Sequence, residues 1–233
     1  MNGHGPAPEN AYFVNQWPRL PAAGDHLDKW LQGHQECRLV IIDALQKIRP
    51  RSGRYEGVYE RDYSDIGELQ SIANQHRLAI VLVHHERKAD SPDDYDRVSG
   101  SAGITGAADC VMILERKDRS VMQGTLIISG RDISDRKYAL LWDERFGLWS
   151  YEGTPAEVEG RKARDAILEA MGRLGRPCGQ TEIGQLCGKS RQAVQKQINR
   201  LLEDGVIEAA AGQPGKYRLC PDYGGYPESW DKP

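Results

Sequence analysis

Polar side chains that could act on a nucleotide follow three apolar runs of the sequence. Asp43 closes the run LVIID, His84 and His85 close LAIVLVHH, and Arg131 follows LIISG. Ligands of open α/β sheets bind at the carboxyl ends of parallel strands, so such positions are favoured for chemistry. A carboxylate there can hold Mg²⁺ on a nucleotide, and an arginine from a neighbouring subunit can stabilise the charge on a transferring phosphoryl group. A histidine there can sense a γ-phosphate.

Each of these positions also has a purely structural explanation. An Asp ends many strands that bind nothing, and a strand-end His is commonly satisfied by local hydrogen bonds. Arg131 and Asp132 could equally form an exposed turn. The two adjacent histidines favour function, because they are expected on the same sheet edge as Asp43. The sequence thus predicts Asp43 as metal and nucleotide ligand, Arg131 as nucleotide ligand, and a catalytic set of Asp43, His84, His85 and Arg131.

A second group of polar residues lies near the C-terminus, on a predicted helix over 190–204 and on a predicted hairpin strand. Their side chains are of the types that read base edges or contact phosphates. The alternative is a surface for protein–protein contact, which the fold alone does not exclude. The predicted DNA-binding residues are Lys189, Ser190, Arg191, Gln192, Gln195, Lys196, Asn199, Lys216 and Arg218.

The elements that must position the first group form an α/β domain over residues 11–152. Apolar runs alternate with amphipathic segments, which predicts a mostly parallel sheet with helices on both faces. A polar loop is predicted over 86–98. Helices are predicted over 24–33 and 60–77, strands over 11–20 (in part), 39–42, 78–83, 110–114 and 125–128, and a hairpin from 138–142 and 148–151.

The elements of the second group form a small winged helix-turn-helix domain over residues 160–220, after a linker at 153–159. Its first helix, 160–174, carries an apolar stripe. Thr181 and Ser190 are predicted to cap the next two helices, and strands at 206–209 and 216–219 form the wing. Residues 1–10 and the tail 221–233 are predicted to be flexible. The stripe of the first helix consists of Ala163, Ile167, Leu168 and Met171.

Composition narrows the possible classes of protein. The 31 Lys and Arg residues nearly balance 34 Asp and Glu, giving a net charge of -3 over 233 residues, which argues against a polybasic protein but allows a local basic face. The five cysteines form no CxxC pair, which favours a reducing cytosol over disulfides or a zinc site. No apolar run reaches the ~18 residues of a membrane span, so a cytoplasmic protein without a membrane partner is expected.

The motif order resembles the later part of RepA-like replicative helicases, RecA-type AAA ATPases of plasmids, phages and integrative elements. The resemblance covers residues 11–151 and rests on LVIIDALQKIRP, RLAIVLVHHERK, SGSAGITGAAD and LIISGRDI. It implies a RecA-like core that uses ATP and Mg²⁺, associates with DNA and forms a homo-oligomer, as a ring or part of one. Asp43 then corresponds to the Walker B aspartate, and the histidine pair to the sensor segment.

The sequence departs from this family in one motif. It contains no GxxxxGKS/T loop, and Gly188-Lys189-Ser190, which fits only the final triplet, lies in the predicted helix-turn-helix. That loop supplies the N–H groups and the lysine that hold phosphates. We therefore expect little or no autonomous ATP hydrolysis.

Two explanations of the missing loop stay open: a fragment of a longer ATPase, or a degenerate relative that keeps the fold. In both, an N-terminally incomplete core is expected to expose a sheet edge and an apolar patch that promote association. Three functions follow: part of a DNA-associated helicase or NTPase of a mobile element, a non-hydrolysing DNA-binding or replication-regulatory protein whose α/β part oligomerises, or an inactive remnant.

Overall fold

The computed structural model describes residues 8–50, 57–85, 102–116, 118 and 120–221. The chain divides into two compact units, Met1–Tyr151 and Glu152–Pro233. Within the described part of the chain, no helix has the length and apolar character needed to cross a membrane.

The first half of unit 1 is a parallel strand pair covered on one face by helices. Strand β1 (Leu39–Asp43) pairs in parallel with β2 (Ala79–Val83). Helix α1 (Ala22–Gln32) precedes β1 in the chain, and helices α2 (Leu45–Ile48) and α3 (Val58–His76) connect the two strands. Side chains alternate along a strand, so every second residue faces the helices. The strand residues that pack against apolar side chains of α1, α2 and α3 are Val40, Ile42, Ile80 and Leu82.

The second half of unit 1 is a short helix and a four-stranded sheet whose last strand continues into the first residues of unit 2. Helix α4 (Ala102–Ala107) precedes strands β3 (Cys110–Glu115), β4 (Gln123–Gly130), β5 (Ile133–Asp143) and β6 (Leu148–Gly153), which neighbour one another in that order. The pairs β3–β4 and β4–β5 are antiparallel, and residues 144–147 turn β5 into β6.

The expected α/β class is confirmed, but parallel pairing extends less far than predicted. Among the described strands only β1 and β2 are parallel. The reason is the length of the connections: a parallel crossover takes about a dozen residues or more, whereas an antiparallel pair needs only a turn. The stretches 116–122 and 144–147 are too short for a crossover.

One local prediction for unit 1 differs from the structure. The strand predicted within 11–20 is wrong, because this segment contains no strand. Tyr12 packs instead with its ring 5.2 Å from Trp30 and 5.1 Å from His34 between centroids. Part of the glycine-rich stretch before β3 is the helix α4. The predicted loop 86–98 and residues 99–101 lie outside the described residues.

Unit 2 is a three-helix domain with a small sheet. Helices α5 (Pro155–Leu174), α6 (Gln180–Cys187) and α7 (Arg191–Glu203) accompany strands β7 (Cys178–Gly179), β8 (Ile207–Ala209) and β9 (Lys216–Leu219), in the sheet order β7-β9-β8. The wing therefore has a third strand, β7, that was not predicted. Buried side chains from all three helices and the wing form one core, including Ile167, Met171, Ile183, Val194, Ile198, Leu201 and Ile207.

Two predictions about where the helices of unit 2 begin are wrong. Residues 155–159 are not a linker but the first turns of α5, because Thr154 and Glu157 form a capping box, with distances of 3.2 Å from Glu157 N to Thr154 Oγ1 and 2.7 Å from Thr154 N to Glu157 Oε2. Thr181 lies inside α6 and does not cap it. Ser190 caps α7 as predicted, accepting from Ala193 N at 3.3 Å.

The chain ends lie mostly outside the described residues. Residues 8–10 form a turn in which Ala11 N donates to Pro8 O at 3.0 Å. The other residues of the predicted flexible N-terminus, 1–7, and residues 222–233 of the predicted tail are not described.

Candidate functional site

The parallel register brings two of the predicted polar groups to one edge of the strand pair. Asp43 lies opposite Val83, so Asp43 and the histidine pair leave β1 and β2 at the same end. The Asp43 and His85 side chains are exposed, and His84 is half-buried. The shared edge expected for these residues is therefore present.

This edge does not by itself make a Mg²⁺–nucleotide site. Among the described residues, no three His, Cys, Asp or Glu side chains come together as a metal ion would require. Mg²⁺ is commonly held by one or two carboxylates together with substrate phosphates and water. Asp43 supplies one carboxylate, and the sequence has no phosphate-binding loop to hold the rest.

Arg131 is held within its own subunit. Its Nη2 donates to Gly106 O at 3.0 Å, its Nη1 lies 3.4 Å from Asp109 Oδ1, and its backbone N donates to Asp109 O at 3.0 Å. Gln70 Nε2 also donates to Asp109 Oδ1, at 2.8 Å. Arg131 thus links the end of β4 to α4 and to Asp109, and a role in trans would require its two side-chain contacts to break.

A buried ionic cluster was missed by sequence reasoning. Arg49, just after α2, lies 2.7 Å from Asp62 (Nη2 to Oδ1) and 3.8 Å from Asp65 (Nε to Oδ2), and Asp62 is fully buried. Next to this cluster, burial raises the pKa of Glu68, helped by the carboxylates of Asp25 and Asp65. The only sequence signal was two acids at helical spacing on the inward face of α3. Buried charges need such partners, so this cluster clamps α2 to α3.

The helix-turn-helix of unit 2 orients its second helix by burying one stripe and exposing the other. Val194, Ile198 and Leu201 of α7 are buried in the core. Gly188 makes the turn before α7 with φ of 64°, a conformation that glycine adopts without a steric penalty. The opposite face of α7, together with Gln180, borders an open cleft of about 450 Å³ lined by Gln180, Arg191, Gln192, Gln195, Lys196 and Asn199.

Three side-chain amides form a chain along this cleft. Gln180 Nε2 donates to Gln195 Oε1, and Gln195 Nε2 donates to Asn199 Oδ1 at 2.8 Å. Each bond fixes the orientation of the next amide, so Gln195 is held in one arrangement. Gln180 lies on α6 and was not predicted, because nothing in the local sequence indicates a contact across the turn.

The predicted cations of unit 2 fall into two classes. Lys189 Nζ lies 3.3 Å from Glu159 Oε1, and Arg218 Nε lies 2.6 Å from Glu208 Oε1. In contrast, Arg191, Lys196 and Lys216 form no ion pair with any residue that the structure describes. The uncompensated positive charge of the predicted set is therefore centred on α7, with Lys216 added from the wing.

Two regions of the chain match known domain families. Residues 5–91 match the family model described as an AAA domain, and residues 166–208 match the model of winged helix-turn-helix DNA-binding domains. The chain joins an AAA-type domain to a winged helix-turn-helix domain. The AAA match includes Asp43 and the histidine pair but ends before Arg131. The winged helix-turn-helix match includes the whole cleft face of α7 but leaves Lys216 and Arg218 outside.

One similar solved structure is described as an ATPase domain. Its TM-score is 0.47 at 13% sequence identity, and the alignment covers 57% of this chain and 51% of that chain. This chain thus spans about half the length of the chain in that structure. The search of curated proteins gives no match.

Proposed function

We propose that this chain is a DNA-associated protein of the AAA NTPase class that binds duplex DNA through the exposed face of α7. The observation that carries the proposal is the cleft face of α7, where arginine, lysine and amide side chains are gathered. In helix-turn-helix domains the second helix lies in the major groove, with its N-terminal residues at the base edges. Arg191 suits guanine, and Gln195 and Asn199 suit adenine, because these side chains bond such bases bidentately.

The remaining predicted cations would hold the phosphate backbone. Lys196 and Lys216 are available for phosphate, since neither forms an ion pair within the described residues. Lys189 and Arg218 would exchange Glu159 and Glu208 for phosphate on binding. Exposed ion pairs contribute only about 0–1 kcal/mol, so this exchange costs little. Ser190 would add its hydroxyl while it caps the helix.

We further propose a more specific function: the chain is part of a RepA-like helicase or NTPase of a mobile element or phage. It would act in the cytoplasm as a homo-oligomer. The order of the motifs and the edge shared by Asp43 and His84 support this assignment. Little or no autonomous ATP hydrolysis is expected, because the sequence has no phosphate-binding loop to hold and polarise the phosphates of a nucleotide. The histidines and Arg131 would contribute to hydrolysis only in an assembly that supplies a phosphate-binding loop, whereas Asp43 would still bind Mg²⁺-ATP in this chain.

A second candidate is a non-hydrolysing DNA-binding or replication-regulatory protein whose α/β part only oligomerises. The intrasubunit bonds of Arg131 favour it, because they give that residue a structural role. Calorimetry of Mg²⁺-ATP with the wild type and Asp43→Ala separates the two candidates. Saturable binding that Asp43→Ala abolishes would establish a nucleotide site at β1, and absence of binding in both proteins favours the second candidate.

The proposal for α7 is tested by fluorescence anisotropy with labelled duplex DNA. The double variant Arg191→Ala, Lys196→Ala should bind at least about tenfold more weakly than the wild type, since it loses contacts to bases and phosphate. The matched control is the double variant Arg173→Ala, Lys162→Ala. It also removes one arginine and one lysine, but from exposed positions of α5. Equal weakening by both double variants, or no binding by the wild type, would refute the role of α7.

A further inference from the structure

One face of the β3–β6 sheet carries a cluster of aromatic rings and arginines. We call it the aromatic face and define it by Tyr138, Trp142, Trp149, Tyr151, Arg116 and Arg136. The ring centroids of Trp142 and Trp149 are 5.1 Å apart, and those of Tyr138 and Tyr151 are 5.6 Å apart. The Arg116 guanidinium lies 5.8 Å and 5.7 Å from the two indole centroids. These contacts form two groups, Arg116 with the two indoles and Tyr138 with Tyr151.

The strand register extends this face across the sheet. Tyr138 lies opposite Leu126, and Leu126 lies opposite Leu114, so all three share one side of the sheet. Trp149 lies against the backbone of Gly124, where a Cβ atom would come within 2.8 Å of the indole. The indole therefore covers the backbone at Gly124, and the face beyond it is open to solvent: Tyr151 is 64% exposed and Leu114 48%.

Charge is divided between the two sides of the sheet. The aromatic face has two arginines, Arg116 and Arg136. Arg136 Nη1 donates to Tyr138 Oη at 3.4 Å. The acidic residues in the regularly paired part of these strands, Glu115, Asp143 and Glu152, occupy the alternate positions that point to the other side. The aromatic face thus carries two arginines, whereas these three strand carboxylates point to the opposite side.

The combination of exposed aromatic rings and arginines on one face indicates what kind of ligand it can bind. Two copies of the face would bring arginines together, so charge disfavours its use in a symmetric dimer. A duplex keeps its bases stacked inside and offers no ring faces along its length. Single-stranded nucleic acid offers both unstacked bases for aromatic side chains and phosphates for arginines. We propose that the aromatic face binds single-stranded nucleic acid, with bases stacked on Tyr151 and Trp149 and phosphate held by Arg136.

The test uses the full chain and a labelled oligothymidylate of about 16 nucleotides, the upper length that one such surface covers. Anisotropy should show binding that Tyr151→Ala weakens about tenfold, because one stacking platform is lost. Tyr151→Phe keeps the ring and should restore most of the affinity. Arg136→Ala should reduce the slope of log affinity against log salt by about 0.7, the value for one phosphate contact to a single strand.

Matched controls lie on the opposite side of the same strands. Leu148→Ala removes a side chain that is 51% exposed on the strand of Tyr151, and Lys137→Ala removes a cation next to Arg136. Both should leave oligothymidylate affinity unchanged. The double variant Arg191→Ala, Lys196→Ala should weaken duplex binding and leave oligothymidylate binding intact, so the two proposed surfaces can fail independently.

Three results would overturn the proposal. The wild type does not bind oligothymidylate; or Tyr151→Ala and Arg136→Ala bind it like the wild type while the α7 variant loses it; or the Tyr151→Ala variant changes only the assembly mass measured by light scattering. The last result would show that the face contacts protein.

Discussion

At the scale of single residues, the amide chain of the cleft assigns a positioning role to Gln180. It lies beside the recognition surface on α6 and orients Gln195 through one hydrogen bond. Gln180→Ala frees the Gln195 amide, so we expect duplex selection from random sequence to return a broader motif at the adenine-contacting position. Affinity for non-specific duplex should stay within about twofold, because phosphate contacts supply it.

The control for this prediction is Gln185→Ala, which removes an exposed amide from the same helix. It should select the wild-type motif. An unchanged motif with Gln180→Ala would show that the amide chain has no part in reading bases.

Stability at the residue scale depends on the buried cluster around Arg49. Asp62 is fully buried 2.7 Å from the guanidinium of Arg49, so Asp62→Ala leaves a buried cation with less compensation. Removal of one partner from a buried ion pair costs about 3–5 kcal/mol. Chemical denaturation followed by the transition of unit 1 should show a loss of this size.

An exposed ion pair provides the comparison. Glu169 and Arg173 form one on the surface of α5, and Glu169→Ala should cost about 0–1 kcal/mol. If Asp62→Ala were equally mild, the cluster around Arg49 would not clamp α2 to α3.

At the scale of elements, the approach of α6 to α7 depends on Gly184. A Cβ atom there would lie 3.0 Å from Lys189 O and 3.5 Å from Val194 Cγ2. Gly184→Val should therefore push the helices apart and destabilise unit 2 by about 1–3 kcal/mol, with weaker duplex binding. The measurements are thermal unfolding and anisotropy.

Gly160 is the matched control, because it lies in α5 and a Cβ atom added there would have no neighbouring atom within 4 Å. Gly160→Ala should be neutral or stabilise by up to about 1 kcal/mol, as expected for a helix interior. A Gly184→Val variant with wild-type unfolding would contradict the close packing of the two helices.

Elements with a strong local pattern were predictable from sequence. The apolar runs gave β1 and β2, and the spacing of apolar residues gave α1, α3 and α7, with Asp43 and the histidines correctly placed at one edge. The strand predicted within 11–20 was wrong, because Tyr12 and Trp17 pack on side chains of α1. The linker at 153–159 failed because the Thr154 capping box starts α5 earlier.

Features that depend on pairing between distant residues were not predictable. The antiparallel order of β3–β6 depends on connection lengths, and the aromatic face depends on register. The contacts of Gln180 with Gln195 and of Arg49 with Asp62 cross between elements. A single sequence carries no local signal for such partners.

At the scale of the whole molecule, the β1–β2 pair leaves an apolar surface uncovered. Leu39 is 51% and Ile41 62% exposed, on the side away from α1 and α3. This is the apolar patch expected from sequence, and such patches favour association. We expect Ile41→Lys to lower the average mass in multi-angle light scattering, because the patch gains a charge.

Val14→Lys is the control for that charge, since Val14 is 65% exposed and lies outside the strand pair. It should leave the mass unchanged. A wild-type protein that is monomeric at all concentrations would contradict association through this patch.

The measurement that tests the account most directly is the salt dependence of duplex binding. If α7 holds DNA, log affinity should fall linearly with log salt, and the Arg191→Ala, Lys196→Ala variant should have a slope smaller by about 0.9 for each phosphate contact removed. Its affinity should fall across all salt concentrations. A variant with the slope and affinity of the wild type would contradict the account, because duplex DNA would then bind elsewhere or through no specific surface.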